Sequence, residues 1–209
     1  MKLRRLRFFS IFVVAFVLIF AVLNGRFLVA ETQYSLGMTP TISPIVSPAP
    51  GNLPIPEKTE IKISDSAILT IGKIGVSAPI VFGISDKTKD IYDNLSRGVV
   101  HYSPSPKPGE KGASIILGHS SDYLWKKNAY GSVFALLGKL APGDRLQVQY
   151  DNGTVLTFEV KQSLIFAPFS NDSRLDKIEG CTDSSLVLVS CWPVGTAYKR
   201  IAVEAVIIQ

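Results

Sequence analysis

The chain has 209 residues, 22 Lys+Arg against 17 Asp+Glu, and a pI near 9.2, a balance that first suggests nucleic-acid binding. Position excludes that class: Lys2, Arg4, Arg5, Arg7 and Arg26 supply the whole excess of +5, and no acid lies among the first 26 residues. The neutral remainder offers no field for counterion release, and at 46% hydrophobic and 19% charged it is too apolar to be disordered.

Phe8 to Leu23 is an apolar run of 16 residues broken only by Ser10. As a helix it reaches about 24 Å, short of a hydrocarbon core of about 30 Å, and extension through Asn24, Gly25 and Arg26 to Ala30 makes up the length. Leu28-Val29-Ala30 supplies only one of the two small residues that a cleavage site needs, so an uncleaved anchor over 8–30 is favoured over a removed signal peptide. The basic segment 1–7 is expected to stay cytoplasmic and everything after the anchor to lie outside. Residues 31–59 read as a linker, with Pro40, Pro44, Pro48, Pro50, Pro54 and Pro56 opposing helix and sheet alike. The chain ends on Ile207-Ile208-Gln209 without a hydrophobic tail, so it is not expected to be a wall-attached substrate itself.

Residues 60–209 read as one mainly β domain. Strands are expected at 67–74, 79–82, 113–117, 145–150, 154–166, 185–190 and 200–208, with Asp151-Asn152-Gly153 as a hairpin turn. One helix is expected, because Val133, Leu136, Leu137 and Leu140 fall at i, i+3, i+4 and i+7 before Pro142-Gly143. Seven or eight strands with so little helix indicate a closed barrel or a sandwich.

Three residues carry candidate chemistry. His119 follows an apolar strand in SIILGHSS, where Gly118 is expected to permit a tight turn. Cys191 closes the apolar strand SLVLVSC and is followed by Trp192-Pro193. An ordinary thiol is only about 3% thiolate at neutral pH, so a nucleophilic cysteine needs a cationic neighbour or a base. Arg200 stands nine residues after Cys191, and a short WPVGTAYK connection between antiparallel strands would return its guanidinium to the sulfur, ready to meet a developing oxyanion. Cys181 leaves open a disulfide with Cys191 and an inert domain. No CxxC, HxxxH or HExxH spacing points to a metal.

Together these segments resemble a sortase, one of the membrane-anchored cysteine transpeptidases of bacterial surfaces. The resemblance runs from about Ala67 to the C-terminus through AILTIGKIGVSAPIV, PGEKGASIILGHSS, VFALLGKLAPGDRLQV, LVLVSCWP and KRIAVEA. The family's Thr-Leu-x-Thr-Cys reads here Val187, Leu188, Val189, Ser190, Cys191; Ser190 keeps a hydroxyl, Val187 loses one, and the subclass stays open, with a class D/E-like member compatible. The resemblance implies an eight-stranded β-barrel, with His119 as acid/base, Cys191 as nucleophile and Arg200 as the oxyanion or substrate-positioning group. Ser190, Trp192, Ser120 and His101 are expected to contact substrate.

The implied reaction cleaves an LPxTG-like sorting signal through a thioester and passes the surface protein to an amine of peptidoglycan or of a pilin. No cofactor is expected, and no acid cluster argues for calcium. The loop 167–184 is expected to wall the peptide groove, with a helical turn in NDSRLDKIEG. A thiol hydrolase using the same three residues remains a rival. A papain-like protease fits poorly, since here the cysteine follows the histidine by 72 residues.

Overall fold

The computed structural model describes residues 2–37, 62–122, 128–168, 172–179 and 183–208. The proline-rich stretch and Cys181 lie outside the described residues. Eight strands close into a barrel in the order β1-β2-β3-β4-β7-β8-β6-β5: β1 Ala67–Ile71, β2 Val76–Val81, β3 Val99–His101, β4 Gly112–Leu117, β5 Arg145–Tyr150, β6 Val155–Phe166, β7 Ser184–Trp192 and β8 Lys199–Ile207. Helices are α1 Lys2–Ser35, α2 Thr88–Asn94 and α3 Ser173–Glu179.

Alternation builds the barrel. On β5, Leu146, Val148 and Tyr150 point inward and Arg145, Gln147 and Gln149 outward, the period of two that a half-buried strand requires. Leu69, Ile116, Phe158, Leu186 and Leu188 fill the interior with no measurable exposure, each worth about 1.5–3 kcal/mol of transfer from water. β5 and β6 form the expected hairpin, with Gly153 at φ +88° and its amide bonded to the Tyr150 carbonyl. β4 and β7 run parallel from Gly112↔Ser184 to Leu117↔Val189, and β7 turns back antiparallel onto β8.

Three expectations change. The first strand stops at Ile71, because a 3₁₀ turn over Gly72–Ile74 and Gly75 at φ +65° reverse the chain into β2. The helix expected from the 133–140 stripe is a series of turns with a 3₁₀ segment, Leu137–Lys139. The stripe still faces the core, and Gly138 lies under the Trp192 ring, which would stand 2.9 Å from a Cβ there. The third change is α2, which sequence reading passed over; α3 falls in NDSRLDKIEG, where a helical turn was expected.

α1 continues five residues past the expected anchor and touches the barrel. Glu31 pairs with Lys139 at 2.5 Å, the Lys139 ammonium stands 5.7 Å from the Tyr34 ring centroid, and Ala30 and Tyr34 pack against the core. No helix among the described residues is long and apolar enough to cross a membrane. The side chains described within the apolar run, Phe9 to Val22, are all exposed, and they account for about 21 Å of helix against a core of about 30 Å. That stretch by itself falls short of the span expected over 8–30.

Candidate active site

The site lies on the outside of the barrel. Along β7, Leu186 and Leu188 enter the interior cluster, whereas Val187 and Val189 join a second cluster on the other face with Ala113 and Ile115 of β4, Ala202 of β8 and Leu164 and Phe166 of β6. Leu175 and Ile178 of α3 cover part of this outer face. By the same parity Cys191 is an outer residue, two positions beyond Val189. Its cross-strand partner is Arg200, and that of Val189 is Ala202.

His119 reaches the same face from β4. Leu117 pairs with Val189, the Gly118 amide continues the ladder onto the Val189 carbonyl at 3.1 Å, and two positions beyond that pair stand His119 and Cys191. The alternation of burial persists past the strand: Leu117 and His119 are half-buried, Gly118 and Ser120 buried. Gly118 serves close approach rather than the expected tight turn. A Cβ there would stand 2.4 Å from the Phe134 ring, and the Phe134 amide in turn holds the His119 carbonyl at 2.9 Å. Tyr92 of α2 lies beside the imidazole, with ring centroids 6.2 Å apart.

Cys191 is a free, half-buried thiol. Arg200 donates from Nη1 to the carbonyls of Ala197 and Lys199 at 3.1 and 3.0 Å, which fixes the guanidinium on the β7–β8 connection. A guanidinium has five N–H donors in a rigid fork, so Nε and Nη2 can serve a substrate oxygen. The register therefore brings the positions of a thiol, an imidazole and a permanent cation to one end of one sheet face.

The other residues expected at substrate point elsewhere. Ser190 is an inner residue, 3% exposed, and its hydroxyl donates to the Gly118 carbonyl at 2.8 Å, tying β7 to the chain just before His119. Trp192 is likewise turned from the outer face and packs against the core over Gly138. Ser120 is 2% exposed, its Oγ without a partner among the described residues. His101 is buried in β3 opposite Ile116, with Nε2 bonded to the Pro106 carbonyl at 2.9 Å and its ring 5.2 Å from that of Phe82. Burial pushes its imidazole below the ordinary histidine range, partly countered by that carbonyl.

Asp172 caps α3 by accepting from the Arg174 and Leu175 amides, through Oδ1 and its carbonyl respectively. The Arg174 guanidinium forks onto the same carboxylate and holds it down to about 2. Among the described residues no group of three or more His, Cys, Asp or Glu could hold a metal ion.

The sortase-domain family model matches residues 69–208. Over 138 residues the chain is 31% identical to Sortase D of Bacillus subtilis (strain 168), covering 65% of this chain and 60% of that protein, so the match spans three-fifths of the relative's length. It is similar in structure to sortase A from Corynebacterium diphtheriae, with a TM-score of 0.56 and 23% identity over 71% of this chain and 62% of that one. The Sortase D5 transpeptidase of Clostridium perfringens gives 0.53 and 23% over 69% and 79%. These two likenesses carry the fold. The family match covers two-thirds of the sequence, and on that ground the chain belongs to the sortase family.

Proposed function

We propose that this protein is a cysteine transpeptidase that cuts a sorting signal of the Leu-Pro-x-Thr-Gly kind and joins the upstream protein to an amine. The observation that carries the reading is the Cys191↔Arg200 pair on the outer sheet face, with His119 two residues past the end of β4, whose Leu117 pairs with Val189. The Cys191 sulfur, as thiolate, attacks the threonine carbonyl, and the oxyanion is met by Arg200. Collapse breaks the Thr–Gly bond, His119 as imidazolium protonates the departing glycine amine, and a thioester remains. An acceptor amine, from a peptidoglycan stem or cross-bridge or from a pilin lysine, loses its proton to His119 and displaces the thiolate. The outer apolar cluster around Ile115, Val189 and Phe166 provides a floor for the peptide, and α3 a wall.

The anchored arrangement belongs to the same reading. Lys2, Arg4, Arg5 and Arg7 precede the apolar run and favour a cytoplasmic N-terminus, with residues 8–30 in the cell membrane and the barrel outside. The contact of Glu31 and Tyr34 with Lys139 supports a barrel that sits directly on the distal end of α1.

The test is mass analysis of the full chain incubated with a sorting-signal peptide, with and without an added amine. The expected result is an adduct on Cys191 equal to the peptide minus its part from glycine onward, resolved by amine into a transfer product. Hydrolysed peptide as the sole product in the presence of amine would replace transfer by hydrolysis at the same site.

A further inference from the structure

We infer that Tyr92 is a positioning residue for His119, its ring on α2 confining the imidazole to the orientation in which it exchanges protons with the leaving and incoming amines. The inference rests on the reading of His119 as acid/base. The two rings are inclined by 48° at 6.2 Å between centroids, inside the range of about 4.5–7 Å in which tilted aromatic pairs attract. A ring so placed limits the swing of the imidazole and gives an imidazolium an electron-rich neighbour.

Both ring carriers are tied to the segments around them. The Ser85 hydroxyl donates to the Asp90 carboxylate at 2.6 Å, fastening α2 near its start. At its end the Leu95 amide bonds the Ile91 carbonyl at 3.2 Å, and the Leu95 side chain is buried. Gly98 then passes so close to β2 that a Cβ would stand 2.2 Å from the Pro79 carbonyl oxygen, which leads the chain directly into β3. On the opposite side the Phe134 amide grips the His119 carbonyl.

Packing does not account for Tyr92. Its side chain is 49% exposed and joins neither hydrophobic cluster. This large aromatic residue, kept half in water on a short helix, has the His119 imidazole as a ring neighbour.

The experiment measures steady-state transfer by the full chain in detergent, with a sorting-signal peptide and an amine, for wild type, Y92F, Y92L and H119A. Y92L is expected to lower kcat by about three- to tenfold with KM and Tm little changed, and Y92F to stay within about twofold of wild type. The chain has two histidines, so the His119 Cε1 proton is readily assigned by NMR. Its shift should move in Y92L and persist in Y92F. An unchanged kcat in Y92L, equal losses in Y92L and Y92F, or a loss that follows a falling Tm while the His119 resonance stays put would each overturn the inference. An H119A rate equal to wild type would overturn the acid/base reading and this inference with it; an inactive H119A beside an unimpaired Y92L overturns the role of Tyr92 alone.

Discussion

The two faces of β7 use one run of sequence for opposite ends. Leu186, Leu188 and Ser190 turn inward, where they are buried and serve cohesion; Val187, Val189 and Cys191 turn outward, where an apolar shelf leads to a thiol. Adjacent residues thus belong to different problems, and closeness in sequence to a catalytic residue says nothing of closeness to the substrate. β8 repeats the division: Ile201 and Val203 enter the core, whereas Ala202 and Arg200 join the outer face.

The sharpest way to break this comparison is to alter neighbours on β7. Cys191→Ala is expected to abolish the thioester adduct in mass spectra while leaving the unfolding midpoint close to wild type, because the sulfur is no part of either hydrophobic cluster. Ser190→Ala should do the reverse. It leaves the buried Gly118 carbonyl without its donor, costing about 1–3 kcal/mol in urea unfolding, yet the folded fraction still acylates. Cys181→Ala is expected to leave acylation intact; equal loss on substituting either cysteine would count against Cys191 as nucleophile.

Arg200 comes next in size. Arg200→Ala removes the charged donor expected at the oxyanion, and kcat should fall by about 10²–10³-fold with Tm little altered. Arg200→Lys keeps a charge but not the fork, so single-turnover acylation should lie between the two. An Arg200→Ala enzyme with wild-type acylation would remove the outer-face constellation from the mechanism.

Much of this was legible in the chain, and the places where it was not have physical causes. The nine-residue interval from Cys191 to Arg200 fits a short antiparallel return, and the structure pairs those two residues. The hairpin at Asp151-Asn152-Gly153 carried its own turn chemistry. α2 was not legible, because TKDIYDN is only seven residues without an apolar stripe, and Tyr92 went with it. β3 has three residues, too few for a period to appear. The 133–140 stripe reported burial correctly and geometry wrongly: a helical spacing shows which residues face the core, but turns and a 3₁₀ segment can present the same residues inward. For Ser190 and Trp192, strict alternation about Cys191 already assigns both to the face away from the thiol.

Gly118→Ala tests how far the two faces are coupled. The added methyl would meet the Phe134 ring at 2.4 Å, and overpacking of this kind costs about 1–3 kcal/mol. Because the Phe134 amide holds the His119 carbonyl, the strain should reach the outer face as a lower kcat as well as a lower unfolding midpoint. Adding Phe134→Leu to relieve the clash should restore part of both losses. Recovery of stability with no recovery of rate would mean that the inner packing does not set the position of His119.

The smallest effect concerns the two histidines, which flank β4 on its opposite faces. His101 is buried opposite Ile116, and its pKa in the folded chain lies below the unfolded value of 6.5, chiefly through burial. The Pro106 carbonyl and Glu110 oppose that shift, whereas Lys107 adds to it. Above 6.5 both states are neutral at this position and it adds no pH dependence. As pH falls through 6.5 the unfolded chain takes the proton while the folded chain still refuses it, so stability declines until the folded pKa is passed. Urea midpoints for wild type should therefore drop between pH 7.5 and 5.5 by more than those of His101→Gln, which cannot titrate. The transfer rate per folded molecule at pH 7.5 should be unchanged by the substitution, because His101 lies on the inner face. A wild-type midpoint no steeper in pH than that of His101→Gln would mean that the buried imidazole accepts its proton in place, with Nε2–H donated to the Pro106 carbonyl at 2.9 Å outweighing desolvation.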